Sequence, residues 1–127
     1  MNKLLFSKLL LSIFIISSCG GGGSPPFSLT LPNLSSISIN EDNPYTSVIG
    51  ASTNYKSLIS YQILNPTING LSEISSSGSY SYLPNQDFFG NDNVVIQIKA
   101  DRLGDDNLTT GESLTKTLPI SIVVNPV

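Results

Sequence analysis

The run Asn93–Asp101 (NVVIQIKAD) alternates without a break. Val94, Ile96, Ile98 and Ala100 fall on one side, and Val95, Gln97, Lys99 and Asp101 on the other. Successive side chains of an extended chain point to opposite faces, so this period of two is the pattern of a strand with one buried face. The run ends a longer stretch, Gly78–Ala100 (GSYSYLPNQDFFGNDNVVIQIKA), in which another short strand, Ser79–Leu83, precedes a Pro-marked corner. Four of the ten aromatic residues (Tyr80, Tyr82, Phe88, Phe89) lie in this stretch. A buried sheet face needs a second layer over it, and the rest of the chain supplies candidates.

From about residue 35 onward no segment holds a helical period, and Ser, Asn, Thr, Gly and Pro recur at the spacing of about 8–12 residues typical of an all-β sandwich. Phe27–Leu31 and Ser36–Ile39 are first-strand pieces broken at Pro32-Asn33, and Glu41-Asp42-Asn43-Pro44 is a turn, because a residue before Pro is pushed out of the helical region. Tyr45–Ile49, Leu58–Leu64 and Leu71–Ser75 follow, with Asn69-Gly70 reading as a two-residue turn signal. Leu114–Asn125 is the last strand, with Leu118, Ile120, Ile122 and Val124 on one face and Pro119 demanding a bulge or an edge. The expectation is a single antiparallel β-sandwich of about seven strands.

The N-terminus has another character. Met1–Lys8 carries Lys3 and Lys8, and Leu9–Ile16 (LLLSIFII) is apolar. That run is far shorter than the ~20 residues of a spanning helix, and Ser17, Ser18, Cys19 and four glycines follow it. This is the layout of a signal peptide. Ile16-Ser17-Ser18-Cys19 resembles the lipobox of bacterial lipoproteins, which implies a diacylglycerol thioether on Cys19 and cleavage before it. Two or three acyl chains, at about 0.8 kcal/mol per buried methylene, anchor stably where one is marginal. Residues 1–18 are then the signal, 19–35 a Gly/Ser/Pro-rich tether, and 36–127 the domain. The chain after the cut holds four bases and nine acids, a net −5. A mildly acidic chain with no basic stripe excludes nucleic acid as the partner. Gly20 after the Cys favours, by family analogy, the outer membrane of a cell that has one.

The segments SISINED, SYQILNPTING, GSYSYLPNQDFFGND and SIVVNPV, spanning residues 36–127, together resemble the cadherin-like, Ig-like repeats of bacterial surface and adhesion proteins. The run G-x-Y-x-Y-x-P…F-x-G-x-D, Gly78 to Asp92, is the most specific part. The resemblance implies an Ig-like sandwich with an adhesion, interaction or spacer role. Glu41, Asp42 and Asp92 match acidic positions of the family, which makes them the candidate calcium ligands. Where relatives carry an acidic loop this chain has Gly50–Lys56 (GASTNYK), which contains no acid, and relatives continue past NPV into a further module. Calcium is therefore not expected to be needed for folding.

Two function classes follow. One is a non-enzymatic, envelope-anchored interaction or spacer lipoprotein, its partners being membrane lipid through Cys19 and a protein or glycan at the cell surface. The other is a small-ligand or glycan-binding lipoprotein, resting on the five tyrosines and on the loop Asp101–Glu112, with Asp101, Asp105, Asp106 and Glu112 as candidate binding residues. An enzyme is disfavoured. The sequence has no His for a triad or zinc site, and Lys56, Lys99 and Lys116 fall in no catalytic motif.

Overall fold

The computed structural model describes residues 23–127. The signal-peptide expectation and Cys19 lie outside the described residues. Among the described residues there are nine strands: β1 (Leu29–Thr30), β2 (Ser36–Asn40), β3 (Tyr45–Val48), β4 (Ser52–Thr53), β5 (Ser57–Asn65), β6 (Gly70–Ile74), β7 (Ser79–Pro84), β8 (Gly90–Leu103) and β9 (Thr109–Asn125). They form a β-sandwich. One sheet has the order β2-β9-β8-β5, the other β3-β7-β6, and β1 pairs with β4 in a two-stranded ribbon. The seven longer strands correspond to the expected ones. The expectation of a purely antiparallel arrangement is adjusted at one place, since β2 pairs parallel to β9, Ser36–Asn40 against Ser121–Asn125.

The alternating residues build the core as their period requires. Val94, Ile96, Ile98 and Ala100 of β8 are wholly buried, and Leu118, Ile120, Ile122 and Val124 of β9 lie beside them. Tyr80 and Tyr82 of β7 cover them from the facing sheet, with Ile37, Ile49, Phe27 and Leu29 closing the margins. β8 and β9 run in one unshifted antiparallel register from Ser113 opposite Asp101 to Val124 opposite Gly90. Pro119 thus sits opposite Val95 without a bulge, and pairing with β2 begins only at Ser121, so Pro119 occupies a local edge.

Two expectations are corrected. The tether does not extend to residue 35: Phe27 and Leu29 are core residues, the Tyr55 hydroxyl donates to the Pro25 carbonyl at 2.7 Å, and Lys116 Nζ donates to the Leu29 carbonyl at 2.7 Å. Asn69-Gly70 is not a hairpin turn, because β5 and β6 belong to different sheets and Pro66–Asn69 carries the chain across. Gly70 is small for a packing reason, since a Cβ there would come within 2.6 Å of the Tyr82 ring and the Leu83 carbonyl. Phe88 stands at the corner but is only half-buried, packing on the margin of the core.

Ile96→Ala should therefore destabilise the fold by about 2–5 kcal/mol, the range for a large buried aliphatic truncated to a cavity, and Phe88→Ala by less than the ~3–5 kcal/mol of a fully buried aromatic. Urea denaturation with linear extrapolation measures both, and the reverse ranking would place the core on the other side of the corner.

Candidate functional site

Position 92 shares the parity of Val94, Ile96 and Ile98, so its side chain points inward, and Asp92 is 5% exposed. A carboxylate in that position must have each oxygen satisfied. Oδ1 accepts the backbone N–H of Ile68 at 3.0 Å and of Asn93 at 2.9 Å. Oδ2 accepts the N–H of Asn69 at 2.9 Å and the Tyr82 hydroxyl at 2.9 Å. Two of these donors belong to the Pro66–Asn69 crossing. The same crossing is tied to the other buried tyrosine through hydroxyls: Tyr80 to Ser72 at 3.0 Å, Ser72 to Thr67 at 2.7 Å, and Thr67 to the Gly70 carbonyl at 2.8 Å. Burial, together with the bond to Asp92, holds the Tyr82 phenol well above the ordinary tyrosine range, and burial raises Tyr80 as well. Asp92 is thus a structural clamp across the two sheets.

The structure accordingly does not bring Asp92 to Glu41 and Asp42. Those two meet Asp87 instead, with one carboxylate oxygen of each residue within 4.8 Å of the others. Asp42 and Asp87 adopt left-handed backbone (φ 62° and 59°), which turns their side chains toward the same end of the sandwich. Two of the oxygens already accept backbone donors: Glu41 Oε1 takes the N–H of Val127 at 2.8 Å, and Asp42 Oδ1 takes that of Asp87 at 3.1 Å. Ca²⁺ requires six to eight oxygens, so three carboxylates with part of their capacity in use make an incomplete set.

The Asp101–Glu112 segment is not one acidic loop. β8 runs on to Leu103 and β9 begins at Thr109, leaving a short tip. Asp101 faces Lys99 at 3.6 Å, Glu112 accepts from Arg102 at 3.0 Å, and Asp106 Oδ1 caps its own turn by accepting the Leu108 N–H at 3.0 Å. Asp105 is exposed at the tip. The Arg102 guanidinium lies 3.9 Å from the centre of the Tyr55 ring, so Arg102 organises this end through its flat face as well as through Glu112. The four acids thus make separate contacts: Asp101 and Glu112 lie on the paired strands β8 and β9, and Asp105 and Asp106 lie at the tip. Of the tyrosines, Tyr80 and Tyr82 are buried, and the Tyr61 hydroxyl accepts the Ala51 N–H at 3.1 Å. A shallow cavity of about 160 Å³ is lined by Ser60, Tyr61, Gln62, Gln97 and Lys99. Pockets that enclose a small molecule have about 300–1,000 Å³.

The chain matches the bacterial Ig domain family over residues 25–119. It is a member of that family. The match begins at Pro25, where the structure also ties the chain to the sandwich, and covers Asp92 and the Pro66–Asn69 crossing it clamps. A comparison with curated proteins finds no match. Membership of the bacterial Ig family fits a surface or interaction module.

Two outcomes check this account of the carboxylates. Asp92→Ala strips an acceptor from four donors, and buried donors without a partner cost about 1–3 kcal/mol each. It should therefore destabilise this Ig domain well beyond Tyr82→Phe, which removes one hydrogen bond to a charged group, about 1.5–3 kcal/mol. Equal effects in urea denaturation would mean that the crossing does not depend on Asp92. Separately, the melting temperature should be the same in excess calcium and in chelator, and a rise of several degrees in calcium would assign an ion to Glu41, Asp42 and Asp87.

Proposed function

We propose that the protein is an envelope-anchored lipoprotein whose Ig domain serves as an adhesion, interaction or spacer module without chemistry of its own. The observation that carries this reading is where the chain enters and where it reaches residue 127. Pro25 and Pro26 are held at the Tyr55 end of the sandwich, next to the Arg102 hairpin, by the Tyr55 hydroxyl and the Asn54 amide. Val127 is bonded to Glu41 at the opposite end. A domain held from Pro25 therefore projects its Glu41, Asp42 and Asp87 end outward, over a length on the order of 50 Å set by the seventeen residues of β9 at about 3.2–3.4 Å each.

Lipidation of Cys19 supplies the anchor in this reading. With the domain beginning near Pro25, only the five residues Gly20–Ser24 separate it from Cys19. The module would thus stand close to the lipid surface, in the outer membrane of a cell that has one. The alternative, a small-ligand or glycan-binding lipoprotein, draws less support, because the hairpin acids pair separately and the cavity beside Ser60 is small.

Cys19→Ala should move the protein out of the membrane fraction, and intact-mass measurement of the wild type should show acyl additions on a chain beginning at Cys19. An unmodified thiol in the wild type would defeat the anchor. Saturable sugar binding by the wild type, lost in the double variant Asp105→Asn with Asp106→Asn, would replace the interaction-module reading with the glycan-binding one.

A further inference from the structure

β5 is an edge strand of the four-stranded sheet, and it is nine residues long. The other edges differ from it. β2 and β6 have five residues and β3 four, and β6 carries Glu73. Unpaired edges invite pairing with another chain, and charged residues or Pro commonly blunt them. Ser57–Asn65 (SLISYQILN) contains no charge and no Pro. Its core-facing residues Ile59, Tyr61 and Ile63 are only partly buried, unlike the fully buried Ile96 and Ile98 opposite them on β8, and Leu58 and Leu64 are 58% and 46% exposed. The inner layer of the sheet is thus incomplete along this one edge.

The order of residues on β5 says what would complete it. About Tyr61 the strand is symmetric in residue class: Ser60 and Gln62, Ile59 and Ile63, Leu58 and Leu64, Ser57 and Asn65. An antiparallel pair with a two-fold axis at Tyr61 sets each of these residues opposite its counterpart. On the core side Ile59 faces Ile63 of the second copy, and on the solvent side Ser60 faces Gln62 and Leu58 faces Leu64. Within the regular span about the axis, residues 59–63, like packs with like and no charge meets a charge, which is what favourable cross-strand pairs need. The bulge at Leu64 leaves the run from Leu58 to Ile63 regular against β8. We infer that two copies of this chain pair through β5, antiparallel about Tyr61, and join their four-stranded sheets into one of eight strands. This inference rests on the edge alone and not on the proposed acylation of Cys19.

The test uses two double variants at exposed positions of the solvent face, in the full chain kept in detergent. Ser60→Glu with Gln62→Lys places opposite charges across the axis twice, and Ser60→Glu with Gln62→Glu places like charges there twice. Both put the same glutamate beside Lys99, which pairs with position 60, and thermal melts establish that both fold. Sedimentation velocity should show dimer for the wild type and the opposite-charge variant and monomer for the like-charge variant. Amide exchange across β5 should slow as wild-type concentration rises. A wild type that is monomeric up to its solubility limit overturns the pairing, and so do two variants with the same oligomeric state, which would place the contact elsewhere or in another register.

Discussion

The arrangement of this Ig domain depends on one buried carboxylate. Asp92 stands on the core face of β8, next to Val94, where an unpaired charge would cost several kcal/mol. It is tolerated because four donors converge on it, and those donors come from three separate places: the start of β8, the end of β7 and the crossing between β5 and β6. Each is a point where the chain could pair incorrectly. The crossing Pro66–Asn69 must leave one sheet and enter the other, and the corner Asn85–Phe89 must make the reverse passage. The two are themselves bonded, Asn85 N–H to the Asn69 carbonyl at 2.9 Å. The charge thus fixes how the two sheets are joined, a specificity role for a polar group in an otherwise apolar interior.

The tyrosines complete this arrangement. Tyr80 and Tyr82 are two apart on β7, so both point inward, and each fills the core with its ring while its hydroxyl bonds to a residue that holds the crossing, Ser72 for Tyr80 and Asp92 for Tyr82. Gly70 follows from the same packing, because the Tyr82 ring occupies the space of a Cβ. Four residue types that look unrelated along the chain (a Thr, a Gly, two Tyr and an Asp) thus answer one geometric requirement. That requirement also gives physical content to the G-x-Y-x-Y-x-P…F-x-G-x-D run, whose second Tyr and final Asp are hydrogen-bonded to each other and whose first Tyr holds the crossing through Ser72 and Thr67.

Much of the fold was legible in the chain because burial on a strand is a parity. The inward set on β8 and β9 follows from alternation alone, and parity also places Asp92 inward, two positions before Val94. That parity is a signal in the sequence for a buried clamp, whereas the family resemblance points to an acidic metal ligand. Other features were not legible because they depend on residues distant in sequence. Asn69-Gly70 has the composition of a hairpin turn, and only the position of Tyr82 shows why it is a crossing. The hairpin acids are close in sequence, yet Asp101 meets Lys99 two residues back on its own strand and Glu112 meets Arg102 across the β8–β9 pair. Phe27 and Leu29 follow a Gly/Ser/Pro run, and their place in the core depends on β4 and on Lys116, far along the chain.

The proposed anchor and the proposed β5 pairing constrain each other. β5 begins at the end of the sandwich where Pro25 enters, next to Tyr55, and ends toward the Val127 end. A two-fold axis through Tyr61 reverses the strand, so the Pro25 ends of two paired copies lie at opposite ends of the joined sheet. The six residue steps from Cys19 to Pro25 reach at most about 3.3–3.6 Å each, too short to lead both ends back to one surface past a domain on the order of 50 Å long. Two copies anchored in the same membrane through Cys19 would therefore not pair in this register, whereas copies on opposed surfaces would meet with their strands already antiparallel. The short tether then matters, because a long one would let neighbours on one membrane satisfy the same edge. Taken together, the two proposals would make this uncharged, self-complementary edge one for contact between surfaces rather than for clustering within one.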